Sequence, residues 1–520
     1  MLTTEQKQRI DKLFDLWVQN RATGGQLVVV HKGETVYEQC YCYADIEEKV
    51  PMTQDSLFTV ASVSKQIVAM SIMILHDRGL LNIEDDIRKY VPELVQFPET
   101  VTISHMLHHT SGLREIFELT SLNTPKEGDP KHMDKLRMLA GRQKALNFEP
   151  GSQFSYCNTG YTLLATIVER VTGMNLNEFA KKNIFEPLGM ENTFFGGCIP
   201  EEEIPTRVFS YHDDGTNYEK VTGYSRVYGS GGMTSTCRDM VKFMPQYANP
   251  TLVSKETMKL YQTIPPLADG TVTNYACGVR INELLGHKYL HHGGVNAGFR
   301  TFTVIFPDDE LVIALFTNTY IIPIETAGRD VARIVLGLPE RTVQTLDEFV
   351  EETTNFENVT GYYRSKGGSV YDIRTEGQQI FIKCNGHWAP LYNVRGNLWK
   401  LGRRNISFVF GSEVKANLDG DNLELQKLTA QPENPEQYCG TFYSDETMGA
   451  FTVEVEDGKL IATTPTGGKQ ELHMLEEDLF CYGPMASQPK KLRFNKEDGQ
   501  VYSMTYSAPQ ITAIEFKKTV

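Results

Sequence analysis

The last third of the chain repeats itself, and that restricts its fold more than any other feature. VTGYYRS, around Gly361, is answered by YCGTFYS around Gly440, 79 residues on. VYDIRTEGQQIFI (370–382) is answered in the same way by FTVEVEDGKLIA (451–462). Short alternating runs of this kind, split by turn residues, have the period of half-buried strands. Two copies of a strand-rich unit predict two small antiparallel β-barrels or sandwiches, over 355–430 and 437–520. TAQPENPEQ joins them, and the acidic stretch TLDEFVEETTNFEN precedes them as a linker.

Residues 1–340 follow another pattern. GGQLVVVHKGETVYEQCYCYAD reads as two strands about a Lys32-Gly33 turn, and TFTVIFPDDELVIALFTN as a second hairpin turning at Pro307-Asp308-Asp309. Helical patterns fill the space between, so the prediction is an α+β domain. Its antiparallel sheet is flanked by helices, and its first and last segments pair in space. The polar stretch Arg114 to Asn147 is either a lid or a solvated insertion.

Composition excludes several classes. A formal charge of −15 argues against nucleic acid or an anionic membrane as partner. The most apolar run, Ile67 to Leu75, is far short of the roughly 20 residues that span a bilayer. MLTTEQKQRIDKLFDLWVQN carries charges throughout, unlike a secretory signal, and Ile10, Leu13, Phe14 and Trp17 recur on one helical face. Nine cysteines without a CxxC pair predict reduced thiols in a soluble, cytoplasmic protein. Cys40 and Cys42 alternate on a strand and should share a face.

Three patterns carry chemistry, each weak alone. SxxK occurs at Ser62/Lys65, Ser412/Lys415 and Ser487/Lys490, against roughly two matches expected by chance. Only the first opens a helix, where i and i+3 are neighbours. There a neutral lysine can take the serine proton, and a backbone N–H can stabilise an oxyanion. A serine N-cap beside a surface lysine is the competing reading. Tyr156 and Asn158 precede an amphipathic helix; they suit proton transfer and amide recognition, or equally a packed tyrosine and a helix cap. His292 stands before Gly293 and Gly294, which let something approach the strand closely; a structural histidine at a glycine bend is the alternative. His105, His108 and His109 have no acidic residue at ligand spacing, so neither a metal nor another cofactor is expected.

Taken together and in this order, the three patterns resemble the penicillin-recognising serine hydrolases. These are the class C β-lactamases, D-Ala-D-Ala carboxypeptidases, esterases and D-aminopeptidases. LNIEDDIRKYVPE, HHTSGL, FEPGSQFSYCNTGY, GSGGMTSTCRDMVKF and HGGVNAGF extend the resemblance over about residues 20–338. The family motif is SxxK with SDN and KTG, and here YxN and HxG stand in their places. With its tandem β domains the outline is most similar to bacterial D-aminopeptidase.

The resemblance implies an acyl-enzyme on Ser62, activated by Lys65, with Tyr156 as base or acid. It implies that Asn158 holds the substrate amide, and that His292 takes the place of the KTG lysine beside the cleft-lining Gly293 and Gly294. The oxyanion hole would be the backbone N–H groups of Ser62 and Val295. A histidine at 292 removes a permanent cation for a substrate carboxylate. That counts against β-lactamase and carboxypeptidase activity and leaves room for aminopeptidase, amidase or esterase chemistry. The outline implies first a peptidase or amidase on compounds with D-amino acids, with a carboxylesterase or weak β-lactamase of the same family as the alternative. A non-catalytic ligand-binding or sensor protein is the rival of another class.

The partner is then a small peptide, amide or ester, and assembly into a homo-oligomer stays open. If His292 acts neutral, an acid limb is expected near the ordinary histidine value of about 6.5. All these residues precede 340, so removing the β domains should change substrate choice rather than abolish acylation. The loop CYGPMASQPKK (481–491) is either a surface hairpin or an arm reaching the cleft, as such loops do in the D-aminopeptidase type.

Overall fold

The computed structural model describes the chain except residues 16–22, 95–97, 128–131, 199–207, 214–217, 222–226, 321, 352–358, 385–386, 402–405, 419, 484–488 and 520. Trp17 and the centre of the 481–491 loop thus lie outside the described residues.

A six-stranded antiparallel sheet organises the first part. Its order is Arg280–Leu284, His287–Asn296, Phe299–Phe306, Leu311–Thr317, Gly25–His31 and Glu34–Tyr41. The N-terminal strand therefore pairs with the last one, Val28 opposite Ala314, as the two hairpins require. The first hairpin turns on Lys32 and Gly33 at φ 54° and 77°.

Side-chain alternation sorts the strands between two cores. Leu27, Val29, Phe302, Val304, Ile313 and Leu315 meet Ile10 of the N-terminal helix Thr4–Leu13, Phe14 at its C-cap, and Val331 of the helix Ile324–Leu336. Val28, Ile305, Val312, Ala314 and Phe316 face the opposite way, into the larger core. Crossing that core is the helix Ser64–Asp77, buried from Ser64 to Leu75, which is why its sequence is apolar all round.

Cys40 packs on the larger core and Cys42 on the terminal-helix side, so the two do not share a face. The strand ends at Tyr41, and the backbone at Cys42 turns to φ 53°, breaking the alternation.

The repeats form two nearly closed antiparallel barrels of nine strands each. The first runs from Gly361–Ser365 to Asp421–Leu428, and the second from Gly440–Ser444 to Ile511–Lys518. In each, the first strand pairs with the last. The two free edges are consecutive strands separated by one buried leucine. In the first barrel Leu391 donates its N–H to Ile380 O, and in the second Leu472 donates to Leu460 O. One residue turned inward thus brings the edges together and leaves little open edge to aggregate.

Arg114 to Asn147 is neither lid nor solvated insertion. Its helices Ile116–Ser121 and His132–Gly141 bury Leu119, Leu122, Leu136 and Leu139, and they carry the second barrel. Asn123 Nδ2 donates to Thr447 O at 2.9 Å, Asn147 Nδ2 to Gln510 O at 2.9 Å, and the Tyr506 hydroxyl to Glu118 at 2.8 Å. Among the described residues no helix is long and apolar enough to cross a membrane.

Candidate active site

Ser62 lies in a 3-10 turn, Ala61–Val63, that leads into the helix Ser64–Asp77. Val60 and Val63 occupy the two cap positions, and neither has a capping side-chain hydrogen bond, so Ser62 does not serve as an N-cap. Ala61, just before it, takes φ 48°, a costly conformation for a residue with a Cβ. Such strain persists only where the surroundings impose it, and it is concentrated at functional sites.

One turn on, Lys65 is 0 % exposed. Its amine donates to Ser62 Oγ at 3.1 Å, Asn158 Oδ1 at 2.8 Å and Ser230 O at 2.6 Å. Ser230 belongs to GSGGMTS, which bends at Gly229 (φ 98°) and Gly232 (φ 77°) to bring that carbonyl over the amine. Burial pulls the Lys65 ammonium down to about 7, against the opposing pull of Glu115 and Cys157.

The YxN segment closes the other side. The Lys65 amine lies 4.8 Å from the centre of the Tyr156 ring. Burial holds the Tyr156 phenol well above its ordinary value, and a hydrogen bond with Ser62 acts the other way. Asn158 begins the helix Asn158–Thr172, with its side-chain oxygen toward Lys65 and its amide nitrogen on Glu115 at 3.1 Å. The structure therefore brings Ser62, Lys65, Tyr156 and Asn158 together.

His292 reaches the same volume from the strand His287–Asn296, with its ring 6.2 Å from that of Tyr156. Its Nε2 lies 2.9 Å from the Tyr275 hydroxyl and its Nδ1 2.6 Å from Gly293 O. Burial first, then the Lys65 charge, puts its titration well below 6.5, so the acid limb expected near that value does not belong to His292.

What approaches the two glycines is the protein itself. A Cβ on Gly294 would stand 2.3 Å from Val60 O, and one on Gly293 would stand 2.2 Å from the Glu325 carboxylate. The first contact seats the strand against the Ser62 turn, and Thr301 Oγ1 adds a 2.8 Å hydrogen bond to the same carbonyl. Val295 follows at the exposed end of the strand, 66 % open.

The three histidines of 105–109 diverge. His105 closes the cap of its own helix, and His108 lies against the Ser104 and Thr263 carbonyls. His109 is enclosed by the rings of Tyr156, Tyr161 and Tyr275, at 4.2, 5.1 and 4.5 Å, and its Nδ1 accepts the Cys157 N–H at 3.0 Å. It thus backs the YxN loop. Sequence reasoning missed His109, Tyr275, Ser230 and Glu115 as parts of the site. The only signal was that three of them fall in or beside phrases noted for family likeness, and Tyr275 had none.

A helix-flanked antiparallel sheet carrying a serine, a buried lysine and a tyrosine in contact defines a class of acyl-transfer hydrolase. The chain belongs to the beta-lactamase family, whose model, described as Beta-lactamase, matches residues 7–335.

Among its relatives is Penicillin-binding protein 4* of Bacillus subtilis, 26% identical over 73% of this chain and 88% of the relative. D-aminopeptidase of Brucella anthropi is 28% identical over 88% of this chain and 86% of the relative. The octameric penicillin-binding protein homologue from Pyrococcus abyssi shares the fold, with a TM-score of 0.58 and 22% identity over 81% of this chain and 99% of that one.

Proposed function

We propose that the protein is a serine peptidase or amidase acting through an acyl-enzyme on Ser62, with substrates that carry a D-amino acid. One observation carries the reading: a fully buried lysine amine, pulled down to about 7, stands 3.1 Å from the serine hydroxyl. Neutral Lys65 takes the Ser62 proton as Oγ attacks the carbonyl carbon. The Ser62 and Val295 N–H groups hold the oxyanion, each such donor being worth about 10²–10³ in rate. Tyr156, kept protonated by burial, gives its proton to the departing amine and regains one from Lys65. Asn158 orients the substrate amide, and water then hydrolyses the ester.

His292, neutral at physiological pH, sits beside the cleft at Gly293 and Gly294 as a hydrogen-bonding group rather than a cation. A substrate recognised by its carboxylate fits that poorly, whereas the 28% identical D-aminopeptidase supports a D-amino-acid amide. Cys40, Cys157, Cys198, Cys237, Cys277, Cys439 and Cys481 form no disulfide, which supports a reducing, cytoplasmic setting. The octameric relative motivates assembly of copies, which a solution mass checks.

The test is labelling with a fluorophosphonate beside a Ser62→Ala control, followed by D- and L-amino-acid amides against p-nitrophenyl esters. The expected result is an adduct on Ser62 alone and turnover of D-amides. An adduct elsewhere, or none, favours a binding protein instead. kcat/KM should rise from the acid side through about pH 7, as Lys65 loses its proton, and level off above.

A further inference from the structure

The mechanism above leaves unused a buried acid that touches the site. Glu115 is 2 % exposed, and burial raises its pKa. A carboxylate so far from water is costly unless its oxygens are satisfied. Here they accept three N–H groups: the backbone of Asn158 at 2.6 Å, the Asn158 side chain at 3.1 Å and the backbone of Phe117 at 3.2 Å.

Asn158 is left with one orientation. Its amide nitrogen faces the carboxylate, so its oxygen must face Lys65. A flipped amide would set oxygen against oxygen at Glu115 and N–H against the amine at Lys65. The carboxylate, which only accepts, and the ammonium, which only donates, select the same orientation from the two sides of the amide.

The second barrel grips the same dipeptide from behind. The Glu115 N–H donates to Gln510 O at 3.3 Å. The buried Arg114 guanidinium pairs with Glu446 at 2.6 Å and donates to Thr512 O at 3.3 Å. Thr159, in the first turn of the Asn158 helix, donates to Arg114 O at 2.5 Å.

We propose that Glu115 is a positioning residue for acyl transfer, turning the Asn158 amide toward Lys65, and that the second barrel holds Glu115 in place through Gln510 and Glu446. The inference rests on Ser62 and Lys65 acting as nucleophile and base. Glu115 and Cys157 favour the ammonium form of Lys65. The rings of Tyr156 and Tyr161 lie at 4.8 and 5.5 Å from its amine. His109 and His292 are neutral neighbours, and Arg280 bears on both histidines and on Tyr156. Deleting the Glu115 charge therefore makes the ammonium harder to keep.

The experiment follows the rate of Ser62 labelling by a fluorophosphonate against pH, using full-length wild type, Glu115→Gln, Glu115→Asp and Glu446→Gln. Glu115→Gln should label roughly 10²-fold more slowly on the plateau, with its acid limb about one pH unit lower. Glu115→Asp keeps the charge, so its limb stays while its rate falls less. Glu446→Gln should slow labelling about tenfold without moving the limb. A role confined to folding changes the fraction labelled and leaves every limb where it was.

A Glu115→Gln limb superimposed on that of wild type overturns the proposal, as do Asp and Gln variants that behave alike. Should the Gln variant fail to fold, the Asp variant decides: an unchanged rate counts against the proposal, and a slower one with a fixed limb supports it. Wild type unlabelled at Ser62 removes the underlying reading and this inference together. Labelled wild type with unmoved limbs removes this inference alone.

Discussion

The two barrels share strand number, order and closure, yet they relate to the rest of the molecule in opposite ways. The first keeps a core of its own, among them Tyr371, Ile382, Trp399 and Phe408. It is tied back mainly through the linker, with Asn417 and Asn422 bonded to Gln344 and Thr345. The second has no separate core. Phe442, Phe451, Tyr506 and Phe516 belong to the apolar cluster that contains Leu119, Leu122 and the Ser62 helix.

The chain at the docking point explains the difference. The second strand of the first barrel opens on Val370, which packs with Tyr362 and Cys481 between the barrels. Its counterpart opens on Gly449, where a Cβ would stand 1.8 Å from Leu122 O. One fold thus keeps its own core in one copy and shares the core of the catalytic unit in the other. Resemblance between repeats says little about what each repeat does.

The sharpest way to break this contrast is to end the chain after residue 430. With its shared core opened, the remaining protein should be insoluble or unfolded and form no adduct at Ser62. This reverses the expectation that loss of the β domains alters only substrate choice. A soluble, folded fragment that labels at the full rate would sink the contrast.

Smaller and more specific effects come from single residues. Phe451→Ala and Phe408→Ala should each cost about 3–5 kcal/mol. In thermal unfolding followed beside Ser62 labelling, the first should lower the transition that carries activity. Phe408→Ala should lower only that of the first barrel. Arg114→Met strands the buried Glu446 and should cost a similar 3–5 kcal/mol. It should also slow labelling, which Phe408→Ala should not.

The smallest effect concerns the seam between the barrels, where His473 stacks on Tyr362 with ring centres 3.7 Å apart. Burial lowers the His473 pKa to about 4. The unfolded chain binds this proton first, so the contact loses stability as pH falls from about 6.5 toward 4. The protection of amides 470–476, after division by the intrinsic exchange rate at each pH, should fall over that window in wild type and stay flat in His473→Gln.

Local patterns carried much of this into the sequence. Hairpin turns, strand alternation and the apolar Ser62 helix are decided by neighbours a few residues away, and they were legible for that reason. SxxK became informative only because Ser62 and Lys65 open a helix. Glu115 was not legible, since in sequence it is one acid among many, and its partner Asn158 lies 43 residues on. The stretch Arg114 to Asn147 looked solvated because polar groups such as those of Asn123 and Asn147 bond to a barrel more than 300 residues away. Cys40 and Cys42 misled because one residue with φ above zero undoes a strand's period.

The docking of the second barrel also sets an order of events during synthesis. At about 5–20 residues per second, the ribosome needs roughly 10–40 s to get from residue 340 to the last strand. Through that interval the side of Ile116–Leu122 that the second barrel covers stays open. A newborn chain must therefore wait, shielded by chaperones or by its own collapse, until its final strand arrives to complete the enzyme.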